Sequence, residues 1–175
     1  EIRKICETGM ETEVFVHGAQ CMCLSGQCYM SAVIGSRSAN RGQCAQACRL
    51  PFSAVGKPAE EYALSLKDMS LVRHVDELCD IGCASFKIEG RMKRPEYVAA
   101  AVTALRNAVD GTGDTDADMK RLEAVFSRSG FTDGYLMNRR GADMFGYRRK
   151  EDVVSADGVL SELAALYAKE KKTSA

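Results

Sequence analysis

The segment from residue 21 to residue 49 holds five of the chain's eight cysteines and constrains the fold more than any other feature. Its apolar residues follow neither the helical nor the strand period, so the segment cannot bury a regular face. Disulfides, a metal centre, or one reactive thiol among inert ones would each explain the cluster. The charged start of the chain, EIRKICETG, does not resemble a secretion signal. A chain of 175 residues also needs no disulfide staples, so we favour a metal centre.

The candidate metal ligands are four of these cysteines, Cys21, Cys28, Cys44 and Cys48. Successive members are separated by six, fifteen and three residues. Structural zinc sites usually combine two close pairs, whereas only Cys44 and Cys48 are close here. Four unevenly spaced thiolates suit an iron–sulfur cluster better, although soft thiolates bind both metals and the spacing leaves both open. Arg41 and Arg49 flank the last pair and are candidates to offset the negative charge of such a centre.

Outside this segment the sequence alternates between strand and helix patterns. Residues 11–17, ETEVFVH, alternate polar and apolar residues and predict a strand, and CASFKIEG predicts a second one. Leu71, Val75 and Leu78 predict a helix between the two strands, ended by Gly82. The order helix, strand, helix over residues 68–110 predicts the α/β class, as the unit of a barrel or of an open parallel sheet.

Further helices are predicted along the second half of the chain. Pro95 opens the longest one and Gly111 ends it, with an inward stripe formed by Val98, Ala101, Val102, Leu105 and Val109. A short helix follows, which turns Met119, Leu122, Val125 and Phe126 inward. The last helix spans about residues 156–169. Cys6, Cys79 and Cys83 are interpreted as buried small apolar residues.

Two strand ends carry the candidate catalytic residues, His17, Glu89 and Arg91. His17 ends the first strand, where a barrel places its chemistry, but a strand-end histidine bonded to backbone explains it equally well. Lys87 and Glu89 share one strand face, which points inward in a barrel and then needs a partner or a polar ligand. Glu89 and Arg91 are the candidates for substrate contact, with a structural salt bridge as the alternative.

Charge is balanced over the whole chain, with 24 basic and 24 acidic residues, so no global attraction draws it to nucleic acid. Two local clusters are basic. The first is Arg91, Lys93 and Arg94, and the second is Arg139, Arg140, Arg148, Arg149 and Lys150, interleaved with Tyr135, Phe145 and Tyr147. Arginine beside aromatic residues suits single-stranded RNA, but a solvated loop with its aromatics on the core is the simpler interpretation. No apolar run approaches the length of a membrane span, so we expect no membrane partner.

Four blocks of the sequence resemble peptidase family U32. They are EVFVHGAQCMCLSGQCYMS, NRGQCAQACR, FKIEGRMKRPEYVAAAV and, from longer collagenase-like members, GYLMNRRGADMFGYRRKEDV. Two residues depart from the family pattern: Gln20 replaces an aliphatic residue, and Cys23 replaces a small or apolar one. Neither departure removes a candidate ligand.

The resemblance implies a fold and a cofactor. The fold would be the C-terminal part of a TIM-like (β/α) barrel over residues 1–110, with a cysteine-rich insertion at about residues 18–52. Residues 111–175 would form a helical and basic-loop extension. The resemblance also implies a four-iron four-sulfur cluster on Cys21, Cys28, Cys44 and Cys48, with zinc as a substitute after aerobic preparation. We expect the chain to be a fragment of a longer protein, inactive alone, and able to form homodimers through open sheet edges.

Three functions remain open after the resemblance. Relatives in the family are named as proteases or act as oxygen-independent hydroxylases, some on tRNA or rRNA. A cysteine peptidase needs a thiolate beside a histidine, and the chain offers only His17 and His74. We therefore favour cytoplasmic hydroxylation of an RNA base, with a peptidase as the first alternative. A zinc-stapled binding module without catalytic activity is the third function.

Overall fold

The computed structural model describes residues 1–52, 55, 62–148, 152 and 157–170. Its strands are β1 Glu13–Gly18, β2 Asp68–Ser70, β3 Ser85–Ile88 and β4 Phe131–Thr132. Its helices are α1 Ile2–Cys6, α2 Met30–Gly35, α3 Val75–Asp80, α4 Pro95–Asp110, α5 Thr115–Val125 and α6 Asp157–Glu170. Single turns of 3₁₀ helix lie at residues 39–41, 47–49, 72–74 and 142–144. Arg149 and Lys150 of the second basic cluster lie outside the described residues.

The strands form one mixed sheet in the order β3, β1, β2, β4. β1 runs parallel to β3, with Val14 opposite Phe86, and antiparallel to β2, with His17 opposite Ser70. β2 and β4 are parallel. The α/β class is therefore confirmed, but the antiparallel β1–β2 pair departs from the all-parallel sheet of a barrel. The TIM-like barrel and pairing between copies at the outer strands β3 and β4 stay predictions.

The sequence patterns predicted neither β2 nor the two-residue strand β4. Residues 68–110 were expected to begin with a helix, but they begin with β2. β2 has only three residues and all of them are buried, so it shows no polar–apolar alternation. The predicted helix is also shorter, because a 3₁₀ turn at residues 72–74 precedes α3.

Helix α4 has the predicted ends but a different buried face. Pro95 occupies its first turn, and Gly111 ends it in the left-handed conformation, with φ of 64°. The buried residues are Tyr97, Ala100, Ala101, Ala104 and Leu105. The predicted stripe was wrong at Val98, Val102 and Val109, which are exposed. Three alanines form the centre of the buried face, and small side chains let neighbouring elements approach closely.

Helices α3, α5 and α6 contact α4 and share its core with the sheet. The core includes Val16 and Met69 from the strands and Leu122, Val125 and Leu163 from the helices. The inward positions predicted for α5 are confirmed for Leu122 and Val125, whereas Met119 and Phe126 are only partly buried. Asp114 caps α5 by accepting hydrogen bonds from the backbone N–H groups of Asp116 and Ala117.

The cysteine-rich segment has the irregular structure that its sequence predicts. It contains α2, two 3₁₀ turns and left-handed residues at Ser36, Gln46 and Gly42. Ser31 and Ala47 are buried in it, whereas Val33 and Ile34 of α2 are exposed. Apolar burial within the segment is therefore small, and it depends on contacts with the sheet.

The remaining cysteines only partly follow their predicted burial. Cys6 and Cys83 are half-buried, and their sulfur atoms lie 3.9 Å apart. Cys79 is exposed, so its prediction as a buried residue was wrong. Gly82, with φ of 86°, follows the end of α3 and turns the chain between Cys79 and Cys83. None of the eight cysteines forms a disulfide in the structure.

Among the residues described, we find no helix with the length and apolar composition needed to cross a membrane.

The alanine face of α4 predicts opposite responses at neighbouring positions. Ala101 is fully buried and Val102 is half exposed. Because Ala101 is fully buried, and added methylene groups in a packed core cause strain, Ala101→Leu should lower the free energy of unfolding by about 1–3 kcal/mol. The matched Val102→Leu change should stay within about 0.5 kcal/mol. Urea unfolding followed by circular dichroism measures both, and equal effects would contradict the buried face described here.

Candidate functional site

A cavity of about 630 Å³ lies where the cysteine-rich segment meets the β3–α4 turn and the ends of α5 and α6. Three candidate ligands line it, namely Cys21, Cys44 and Cys48. The same cavity is lined by five basic side chains, Arg49, Lys93, Arg94, Arg128 and Arg148. The aromatic rings of Tyr97 and Phe126 form part of the cavity wall, and Glu89 is an acidic lining residue. Its volume is in the range of ligand pockets in proteins.

The four candidate thiols lie close enough together to influence one another electrostatically. Burial raises the pKa of Cys48, and Arg49 opposes this effect. Nearby thiols at Cys21, Cys44 and Cys28 raise the pKa of Cys48 further. Cys28 therefore belongs to the group even though it is not a lining residue of the cavity. A cationic metal centre would remove this repulsion between thiolates, so the donor set fits an iron–sulfur cluster.

The thiols do not converge on a point that would suit a single ion. Among the described residues, no group of three or more histidine, cysteine, aspartate or glutamate side chains is arranged to hold one metal ion. An iron–sulfur cluster instead takes its thiolates at separate iron atoms, so its ligands spread around a larger body.

Backbone and hydroxyl groups already surround the Cys44 sulfur. The N–H of Gln46 donates to it at 3.3 Å, because the left-handed Gln46 turns the chain back toward the thiol. The buried Ser31 hydroxyl lies 4.0 Å from the same sulfur and accepts a hydrogen bond from the N–H of Ala45. Donors of this kind stabilise a thiolate and tune a bound cluster.

Arg49 ties the cysteine-rich segment to the sheet. Its guanidinium donates to the backbone carbonyls of Gln20, at 2.6 Å, and Leu66, and to the Ser65 hydroxyl at 3.2 Å. Because Gln20 precedes Cys21 and Arg49 follows Cys48, one side chain fixes two ligand positions relative to β2. Arg41, the other arginine predicted to offset cluster charge, is exposed on the loop.

Of the two residues predicted to contact substrate at the exit of β3, Glu89 lines the cavity and Arg91 does not. Glu89 lines the cavity, and its carboxylate accepts a hydrogen bond from the N–H of Arg91 at 3.2 Å. Gly18, with φ of 142°, allows the close approach of this strand end, since a Cβ there would lie 2.8 Å from the Glu89 Cβ. The Arg91 side chain is exposed and does not line the cavity. Lys87 and Glu89 are both exposed, so the expectation of an inward charged face was wrong.

His17 lies in the core and is not a lining residue of the cavity. Its ring is fully buried, 5.5 Å from the Tyr97 ring and 5.3 Å from the Phe131 ring. Neither ring nitrogen has a hydrogen-bond partner among the described residues. Burial lowers its pKa to about 4, with Asp68 opposing the change and Lys93 adding to it. The imidazole is therefore neutral near pH 7, as expected for a core residue.

The two basic clusters contribute unequally to the cavity. Lys93 and Arg94 come from the first and Arg148 from the second, although more than fifty residues separate them. Arg139 is instead paired with Asp133 at 2.8 Å, and Asp133 also contacts His74 at 2.9 Å. Tyr147 stacks on Tyr62, at 4.4 Å between ring centroids, rather than facing the cavity.

Arg128 and Asp68 form a buried ion pair that the sequence analysis missed. Two hydrogen bonds of 2.6 and 2.7 Å join them, and Asp68 is fully buried. Gly146 packs on this point of the chain, since a Cβ there would lie 2.3 Å from the Arg128 carbonyl oxygen. No motif marked Arg128, because its role depends on β2, whose pattern was not visible.

Comparison with known proteins gives consistent matches. The model of peptidase family U32 matches residues 1–145. The chain is 38% identical over 142 residues to a collagenase of Porphyromonas gingivalis, covering 73% of this chain and 34% of the relative. It is 36% identical over 170 residues to a 23S rRNA 5-hydroxycytidine synthase of Escherichia coli, covering 90% of this chain and 25% of the relative. A tRNA hydroxylation protein of Bacillus subtilis is 38% identical over 122 residues, covering 63% of this chain and 29% of the relative.

The chain thus spans between a quarter and about a third of the length of these curated relatives. No solved structure matches the chain at a significant level.

The buried neutral His17 predicts a specific loss of stability in acid. The unfolded chain binds a proton at this histidine below about pH 6.5, whereas the folded chain does so only near pH 4. Its contribution is therefore complete above pH 6.5 and falls by up to about 3 kcal/mol as the pH drops to 4. We expect the His17→Phe variant, which keeps an aromatic ring, to lack this part of the pH dependence.

Chemical unfolding at several pH values between 7 and 4 measures the difference between the two proteins. His74→Phe is the matched control, because His74 is only half-buried and is paired with Asp133. Parallel stability curves for wild type and His17→Phe would contradict the assignment.

Proposed function

This chain belongs to peptidase family U32, and on that premise we propose that it forms part of a cytoplasmic iron–sulfur enzyme that hydroxylates an RNA base. The observation that carries the proposal is one cavity that joins thiols of the candidate cluster to five basic side chains. A cluster held by Cys21, Cys28, Cys44 and Cys48 would supply one-electron chemistry at the cavity wall. The activity is proposed for the whole protein, since the matches cover only between a quarter and about a third of the curated relatives.

The basic side chains are suited to hold RNA beside the thiols. Arg94 and Arg148 line the cavity and are suited to contact phosphate. The Arg148 guanidinium lies 4.4 Å from the Phe126 ring centroid, and stacked arginine planes are common surfaces for unpaired bases. Glu89, at the rim, is the candidate to accept a hydrogen bond from the base. The names of two relatives, which refer to rRNA and tRNA, support RNA as the substrate class.

A peptidase is the second candidate, and the name of the collagenase relative supports it. The geometry does not favour a cysteine–histidine pair. His17 is buried in the core, and His74 is paired with Asp133, so neither histidine faces the thiols in the part of the chain described. Four neighbouring thiols are also more suited to binding metal than to forming one selective nucleophile. A zinc-stapled module is less supported, because no single-ion site is formed by the described residues.

The proposal predicts which thiols the metal content requires. Changing Cys21, Cys28, Cys44 or Cys48 to serine should lower iron affinity by at least about tenfold, since even supporting residues around metal sites have effects of that size. Cys79→Ser is the matched control, because Cys79 is exposed and outside the cavity. Iron and sulfide analysis after anaerobic purification, with electron paramagnetic resonance of the reduced protein, measures the result. One zinc ion per chain and no iron under strict anaerobic conditions would contradict the proposal.

The substrate class needs a separate test in the source organism. Deletion of the whole gene should remove one hydroxylated pyrimidine from tRNA or rRNA, as measured by nucleoside mass spectrometry. The wild-type gene should restore it, the Cys48→Ser gene should not, and the Cys79→Ser gene should. An unchanged RNA profile, combined with thiol-dependent peptide cleavage by metal-free protein, would instead establish the peptidase.

A further inference from the structure

Lys93 has an unusual place in the cavity. It lies in the turn between β3 and α4, where its N–H donates to the Gly90 carbonyl at 2.9 Å. The half-buried side chain lines the cavity, and its Nζ lies 2.9 Å from the Phe126 ring centroid and 5.3 Å from the Tyr97 centroid. The amine therefore lies beside two aromatic rings in the cavity wall.

The charges around this amine are mostly of its own sign. Arg49, Arg128 and Arg148 line the same cavity, and the Asp68 carboxylate is hydrogen-bonded to Arg128. Among the described residues, no carboxylate lies within ion-pair distance of the Lys93 Nζ. The pKa of Lys93 is lowered to about 8, mainly by burial and also by Arg128, Arg148 and Arg49, while Asp68 opposes the shift. The aromatic ring faces attract the ammonium form, but desolvation and repulsion have the larger effect.

Such surroundings give a lysine nucleophilic character. At pH 8 about half of the Lys93 side chains are the neutral amine, compared with well under about 1% for an ordinary lysine. A desolvated lysine beside other cations is a known way to activate an amine toward carbonyl compounds. The neighbouring guanidinium groups would also attract a negatively charged reactant into the cavity.

We propose that Lys93 is a reactive amine that captures a small anionic carbonyl compound as an imine. The neutral amine attacks the carbonyl carbon, a carbon–nitrogen double bond forms, and the carbonyl oxygen leaves as water. The two hydrogens of the amine leave with that oxygen, so the step needs no oxidant or reductant. Arg148 and Arg49 are the residues that would hold the anionic group. This reactivity goes beyond the proposed hydroxylation and requires no bound metal.

Reductive trapping tests this proposal on the full chain as purified. The protein is treated at pH 8 with glyoxylate, an anionic aldehyde, or propanal, a neutral one, and sodium cyanoborohydride. Peptide mass spectrometry then measures the rate at which each lysine is alkylated. We expect glyoxylate to modify Lys93 at least tenfold faster than the exposed residues Lys87 and Lys120. We also expect the ratio of the glyoxylate rate to the propanal rate to be larger at Lys93 than at Lys87.

Two variants locate the reactivity. Lys93→Arg should abolish the fast modification while keeping the positive charge, and Lys87→Arg should leave it unchanged. Arg148→Gln should lower the ratio of the glyoxylate rate to the propanal rate at Lys93. Because the main comparison is made between lysines of the wild-type protein, it does not depend on the folding of a variant. The proposal would be overturned if glyoxylate modified Lys93 no faster than Lys87, or if the ratio of the glyoxylate rate to the propanal rate were no larger at Lys93 than at Lys87. Iron content is measured separately, so failure here is distinct from failure of the cluster assignment.

Discussion

The geometry of the site depends on one half-buried guanidinium. Arg49 donates to two backbone carbonyls and a hydroxyl, on both the cysteine-rich segment and the chain leading into β2. The segment buries few apolar residues of its own, so these bonds fix its position on the sheet. A lysine has no rigid fork of donors and would not satisfy acceptors from two segments in the same way. The positions of Cys21 and Cys48 follow from this contact.

Three stretches far apart in sequence complete the cavity. The β3–α4 turn brings Glu89 and Lys93, the end of α5 brings Phe126 and Arg128, and a later segment brings Arg148. That later segment lies beside the chain before β2, because the N–H of Lys67 donates to the Met144 carbonyl and that of Gly146 to the Ser65 carbonyl. Thiols, cations and aromatic rings therefore meet in one place, which supports a redox centre beside a site for a charged substrate.

The sequence predicted elements whose pattern is local. The strand at residues 13–18, the strand at 85–88, the ends of α4 and the irregular cysteine-rich segment are all visible in periodicity, proline, glycine and cysteine spacing. The sequence did not reveal features that depend on distant partners. β2 is a strand because β1 and β4 pair with it, and the buried face of α4 is centred on alanine because its neighbours pack closely. Arg128 has no local motif, since its importance comes from the buried Asp68.

The chain has no net charge, yet five basic side chains line its cavity, and this difference has a further consequence. At physiological ionic strength, mobile ions largely screen forces between exposed charges that are more than about 8 Å apart, but they screen partly buried charges much less. The guanidinium groups around Lys93 would thus keep their attraction for anions in salt concentrations that abolish weak, nonspecific adhesion to nucleic acid. A chain with 24 charges of each sign can in this way be selective at one opening while remaining indifferent to polyanions over the rest of its surface.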